Sequence, residues 1–340
     1  MEKSRIFSFF LTTVIVFGFV HLATAKERQG TVTIEVNLNA RSDARTVRLW
    51  LPYPMSDENQ DITNISVSGN YASSGVYRDA KNKATALYAE WKEPAKERKL
   101  VYSFHVNRNE VIRKEFPKKE MPLPVEEMNP YLSNAHLGDA VNKVKAIASE
   151  ITKGQKTILA KAQAVYNNWV VDNMRRDPDV KGCGTSEVER LLSEKAGKCA
   201  DIHSVYTALA RASGVPAHEI YGLRMHKDKD GDITKYQDCW EEFYLPGYGW
   251  VVVDPADVLK FKLERSPTPE ELKAKREYFF GAVDENRIAL NSGGQIVLNP
   301  PPNGNPLLYF MYPYAEADGK ALNEDLYGFN IGYKISFKEN

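Results

Sequence analysis

The sequence predicts an α+β protein: an N-terminal antiparallel β-sandwich, then a block of helices, then a return to strands. Three observations carry this. Between residues 28 and 115, short runs alternating apolar and polar residues follow one another with turn residues between them. After residue 130 the apolar residues fall three and four apart, which is helical spacing. Beyond residue 215 the strand pattern comes back, and helices followed by strands, rather than interleaved with them, make an α+β order.

At the N-terminus, Lys3 and Arg5 precede a run without formal charge from Ile6 to Leu22, and Ala23-Thr24-Ala25 offers a small-residue cleavage site. This is the pattern of a secretory signal peptide over residues 1–25, so the mature chain is expected to be periplasmic or secreted and to contain no membrane span. Export places Cys183, Cys199 and Cys239 where disulfides can form. Three is odd, so at least one thiol is free or pairs outside the chain, and spacing leaves the pairing open.

The sandwich, residues 26–115, is expected from TVTIEVNLNA, VRLWLPYP, ITNISVSG, ATALYAEWK and LVYSFHVNR. The Lys- and Pro-rich segment that follows reads as a linker over 116–130, since residues before proline leave helical geometry. Helices are expected in AVNKVKAIASEIT, TILAKAQAVYNNWVVDNM, SEVERLLSEKA and CADIHSVYTALARASG, the last with Gly214 at its C-terminal cap. AHEIYGLRM, CWEEFYL and WVVVD then read as strands of a core spanning 131–265. Residues 266–340, with a charged helix in PEELKAKREYFFG and strand-like LLYFMYPYAE and FNIGYKISF, are too short for a separate domain and are expected to pack on the core. HKDKDGDITKYQ, residues 226–237, has calcium-loop order but His226 and Gln237 stand where Asp and Glu are needed, so it reads as a solvated loop.

The chain has 340 residues, 43% of them hydrophobic, enough for two buried cores. Its 45 basic and 45 acidic residues balance, and no basic block points to nucleic acid or an anionic membrane surface. Chemistry concentrates at Cys199 in GKCADIHS, where an amphipathic helix begins. A thiol there feels the positive end of the helix dipole, which favours the thiolate, and the free N–H groups can hold an oxyanion.

The run from 197 to 257, GKCADIHSVYTALARASGVPAHEIYGLRM and then CWEEFYLPGYGWVVVDPAD, resembles the core of bacterial transglutaminase-like proteins, relatives of the papain-like thiol enzymes. In that pattern Gly-x-Cys opens a helix, Arg-Ala-x-Gly-Val-Pro-Ala closes it, a strand carries a histidine before a small residue and an aromatic, and Gly-Trp-Val-x-x-Asp follows. The resemblance covers roughly residues 140 to 260. It implies a papain-like core in which a helix carrying the cysteine packs on an antiparallel sheet, with Cys199 as nucleophile and Asp254 as the acid that orients the histidine. It implies no cofactor.

The histidine position falls on Asp238. An aspartate with a reference pKa of about 3.9 is a weak base toward a thiol near about 8.5, so the expected Cys199 pKa is ordinary or raised, and Asp254 should raise one carboxyl of the pair by repulsion. If Asp238 faces the thiol, alternation turns Cys239 away into the packing. Three readings follow: a degenerate member kept for binding, a substitute base in His203 four residues after Cys199, or a metal held by Cys199, Asp238 and Asp254, which mixes soft and hard ligands. The functional expectation is thiol acyl transfer or amide hydrolysis on peptide or peptidoglycan-type substrates in the cell envelope. The alternative is a non-catalytic binding or assembly module.

Overall fold

The computed structural model describes residues 25–79, 83–323 and 326–340. The expected signal peptide lies almost wholly outside them. No helix among the described residues is long and apolar enough to cross a membrane.

The chain begins with strands β1 (Glu27–Asn37), β2 (Val47–Pro52), β3 (Gln60–Gly69), β4 (Ser73–Arg78), β5 (Thr85–Trp91), β6 (Lys99–Asn109) and β7 (Val111–Ile112). Helices α1 (Val125–Met128), α2 (Ala140–Ile151) and α3 (Ile158–Ala164) follow, and α3 runs into a π-helical stretch, Val165–Val171. Next come β8 (Arg175–Arg176), α4 (Val188–Glu194), β9 (Ala196–Gly197), α5 (Cys199–Ala212), β10 (Ala217–Arg224), β11 (Asp230–Asp232), β12 (Gln237–Leu245) and β13 (Gly249–Val253). Helices α6 (Pro255–Arg265) and α7 (Pro269–Tyr278) lead to β14 (Ala282–Val283), β15 (Arg287–Ser292), β16 (Tyr314–Ala317), β17 (Lys320–Ala321) and β18 (Tyr333–Glu339).

Among the described residues the sandwich consists of two five-stranded sheets, in the orders β11-β18-β1-β6-β3 and β17-β16-β2-β5-β4. The alternation read from TVTIEVN is the packing pattern of β1, whose Val32, Ile34 and Val36 are buried against Leu49, Leu51 and Leu87 in one core. The C-terminal segment departs from expectation in part. It packs on the core through α7, β15, Tyr309 and Tyr312, as expected, but β16, β17 and β18 also complete the two sandwich sheets. The physical reason is edge pairing: β18 covers the open edge of β1 along seven residue pairs from Gly30–Glu339 to Val36–Tyr333, burying Ile335 and Phe337. On its other edge β18 takes up β11, so part of the 226–237 segment is a paired strand.

The functional half is a four-stranded antiparallel sheet, β13-β12-β10-β15, with α5 packed on one face. Every residue of α5 from Cys199 to Ala210 is buried, because α2, α4, the π-helical stretch and α6 cover the sides away from the sheet. The linker segment also lies on this half: Glu120 accepts from the Ile158 and Leu159 N–H groups and caps α3. This α+β fold, an antiparallel sheet carrying a helix that begins at a cysteine, agrees with the sequence reading.

Candidate active site

Cys199 is the first residue of α5, and two local devices set its place. Residues 175–176 and 196–197 pair as a parallel ladder, Arg176 opposite Gly197, which fixes Arg176 beside the Gly-Lys-Cys entry. Asp201, in the first turn of α5, accepts from the Thr185 and Ser186 N–H groups at 2.9 Å and from the Lys198 N–H at 3.2 Å. That carboxylate ties the 183–186 loop to the helix entry and explains two glycines. A Cβ at Gly184, which has φ +103°, would lie 2.0 Å from Asp201 Oδ2, and one at Gly197 would lie 2.4 Å from Asp201 Cβ.

The loop and strand β12 deliver two more thiols. All three cysteines are free and buried, and the thiols of Cys183 and Cys239 both hydrogen-bond to Cys199. Those two bonds hold the Cys199 pKa well below the ordinary thiol value, aided by the charges of Arg176 and His203 and opposed by burial. The neighbours shift the other way: the bond to Cys199 raises Cys183, and burial raises Cys239. Sequence reasoning expected an ordinary or raised Cys199, because beyond the helix dipole it looked for a stabilising charge at residue 238 only. The charge comes instead from Arg176, whose own pKa is raised, the thiols and Asp257 outweighing its burial.

His203 does not bond to Cys199. Its Nδ1 lies 3.3 Å from the Cys239 sulfur and its Nε2 3.2 Å from Asp254 Oδ1, in full burial. The imidazole is therefore one thiol removed from the nucleophile. Cys239, expected to point away, is the β12 residue that meets α5, while Trp240 lies on the opposite face beneath the Arg108 and Arg287 guanidiniums.

Asp238 lines the same cleft as Cys199 but is held from behind. Its Oδ2 accepts from Arg224 Nε at 3.2 Å and Nη2 at 3.1 Å, with Arg287 Nη1 at 3.5 Å, while Oδ1 accepts no hydrogen bond among the described residues. Arg287 also bonds to Asp254, Asp257 and Asp284, and Arg224 to Asp257 and Asp284. Four carboxylates share two guanidiniums, which leaves an excess of negative charge. Burial first, then the neighbouring carboxylates, lift Asp238 to about 6 against the pull of the arginines. Asp257 and Asp284 are held well below the usual range by the two guanidiniums, against their own burial. Asp254 is reached from three sides, by His203, Arg287 and the Asp257 N–H.

Arg176, Arg224 and Arg287 were not foreseen as parts of the site. Arg224 and Arg287 each sit in an apolar strand, YGLRM and RIAL, and a charge inside such a run is the signal that could have marked them. Cys183 was noted only as a disulfide partner or a free thiol, and it is free. The cleft encloses about 510 Å³ above Cys183 and Cys199.

A thiol at the start of a helix packed on an antiparallel sheet, with an acid just past the end of β13, has the arrangement of the papain-like class. Residues 145–255 match the transglutaminase-like superfamily. An uncharacterised protein of Haemophilus influenzae is 34% identical over a 304-residue alignment covering 81% of this chain and 82% of that protein. A solved structure from Cytophaga hutchinsonii, whose description proposes a cysteine protease, superposes with a TM-score of 0.56 at 14% identity over 92% of this chain and 98% of that one, a likeness of fold. The chain belongs to the transglutaminase-like superfamily, whose fold supports thiol-dependent acyl transfer or hydrolysis.

Proposed function

We propose that the protein is a thiol-dependent amide hydrolase or acyl transferase acting on peptide or peptidoglycan-type substrates of the cell envelope. Cys199 is its nucleophile and Asp238 its proton carrier. The observation that carries the reading is the cluster around Cys199: two thiol donors and the Arg176 guanidinium favour the thiolate before substrate arrives. The envelope location rests on the N-terminal segment of the sequence.

In the first half-reaction the Cys199 thiolate attacks the amide carbonyl carbon, and the oxyanion forms at the N-terminus of α5. Protonated Asp238, whose Oδ1 accepts no hydrogen bond among the described residues, donates to the departing nitrogen; the C–N bond breaks and a thioester remains. In the second, Asp238 as carboxylate takes the proton from water or an acceptor amine as it attacks, and the thiolate leaves. Asp254 and Arg287 act behind this pair, Arg287 by positioning Asp238 and Asp254 by holding His203, whose contact with Cys239 supports the thiol that bonds to Cys199.

A second reading is favoured by one observation: among the described residues no imidazole bonds to the Cys199 sulfur, and Asp238 is clamped by two arginines. On that reading the cleft binds without turnover. Mixing the enzyme with p-nitrophenyl acetate decides between them. The acyl reading expects a stoichiometric p-nitrophenolate burst and one acetyl group on the Cys199 peptide, both absent in Cys199→Ser. No burst from the unaltered protein supports the binding module.

A further inference from the structure

The cleft over Cys199 carries positive charge that the acyl chemistry leaves unused. Its walls hold Lys181, Lys198, Lys235 and Lys260 besides Arg176 and Arg224, against only two carboxylates, Asp238 and Asp257. Both carboxylates are already bonded to Arg224. The ion pairs among the described residues engage neither Arg176 nor Lys198, Lys235 or Lys260, apart from the longer-range attraction of Lys260 and Arg176 to Asp257. The chain as a whole is neutral, with 45 basic and 45 acidic residues, so this imbalance belongs to the cleft.

Arg176, Lys198, Lys235 and Lys260 come from four separate places: β8, the entry to α5, the segment before β12, and α6. Nothing in the packing of those elements requires a lysine facing the cleft, and cations gathered around a thiolate repel one another as well as attract it. Their common property is a field that concentrates anions at the mouth of the site. Peptides carry their negative charge on carboxylates, either an acidic side chain or a terminal α-carboxylate.

We propose that this cleft selects substrates bearing a carboxylate close to the amide that Cys199 attacks, with Lys235 and Lys260 receiving it. The inference rests on the acyl-transfer reading for its chemistry, but the cleft itself can be tested without turnover. The cavity volume of about 510 Å³ suits a short peptide segment rather than a single small anion.

The probe pair is iodoacetate and iodoacetamide, which differ by one charge and alkylate the same sulfur. The rate ratio at Cys199, read by mass spectrometry of its peptide, should exceed that of 2-mercaptoethanol by roughly tenfold at low ionic strength and shrink toward it in high salt. Lys235→Gln with Lys260→Gln should lower the ratio while leaving the iodoacetamide rate within about twofold. A ratio equal to that of the small thiol, or one that the double substitution leaves unchanged, overturns the proposal.

Protection from iodoacetamide separates the sources of charge. N-acetyl-Ala-Glu-amide and N-acetyl-Ala-Gln with a free terminus should protect better than N-acetyl-Ala-Gln-amide. The stronger of the first two tells side-chain from terminal carboxylate. Equal protection by inorganic phosphate overturns the carboxylate class. An iodoacetate preference without an acetyl burst contradicts the acyl reading alone, and a burst without the preference overturns the carboxylate cleft alone.

Discussion

Asp238 stands where the family pattern places a histidine, and its surroundings narrow the chemical distance between the two. A free aspartate titrates near about 3.9 and a histidine near about 6.5. Burial beside other carboxylates brings Asp238 to about 6. The stabilisation that an imidazolium would give the thiolate comes from two thiol donors and from the Arg176 charge. Because the protonated form is the donor, amide turnover should fall as pH rises through about 6, where Asp238 loses its proton. Asp238→Asn should lower amide turnover by about 100-fold or more, remove that limb of the pH profile, and leave p-nitrophenyl acetate acylation much less affected, since phenolate departs without a proton. Steady-state rates on both substrates check this. The sequence disclosed Cys199, Asp238 and Asp254 through motif order. It concealed Arg176, because a guanidinium in RRDPDV reads as an ordinary surface charge until β8 pairs with β9.

Strands β10, β12 and β15 meet where Arg224 and Arg287 bind four carboxylates. A buried network of this kind contributes little net stability when intact, but removing one partner strands the others. Arg287→Met should destabilise the fold by about 3–5 kcal/mol in urea denaturation. The pH dependence has two parts of opposite sign. Asp257 and Asp284 titrate below the ordinary carboxylate value, so their contribution is complete above about 4 and is lost as pH falls below it. Asp238 titrates above its ordinary value, so its contribution is complete below about 4 and is lost as pH rises from about 4 to about 6. Urea midpoints should therefore decline modestly from pH 4 to 6 and steeply below pH 4, and Arg287→Met should flatten the acid limb.

The strands and helices of this half were legible because their periods are 2 and 3.6. The facing of β12 was not. The alternation puts Cys239 and Asp238 on opposite sides, and only the packed helix decides that Cys239 takes His203.

At the scale of the whole molecule, the thiol cluster is assembled from segments far apart in the chain. Tyr309 and Tyr312, ahead of β16, donate to the Gly184 carbonyl at 2.6 Å and to the Cys183 sulfur at 3.3 Å. The same C-terminal segment then crosses into both sandwich sheets and ends in β18, which pairs with β1 and with β11. Such long-range pairing leaves no periodic trace, and for that reason residues 266–340 read as a small addition to the core. The Cys199 sulfur thus reports on β8, α5, β12 and the C-terminal tyrosines together. The rate of Cys199 alkylation by iodoacetamide against pH, under reducing conditions and resolved at the Cys199 peptide by mass, tests the central claim most directly. A midpoint well below the ordinary thiol value of about 8.5, moving upward in Arg176→Gln, is the predicted result. A midpoint at or above that value, indifferent to Arg176, would contradict a resting thiolate and with it the catalytic reading.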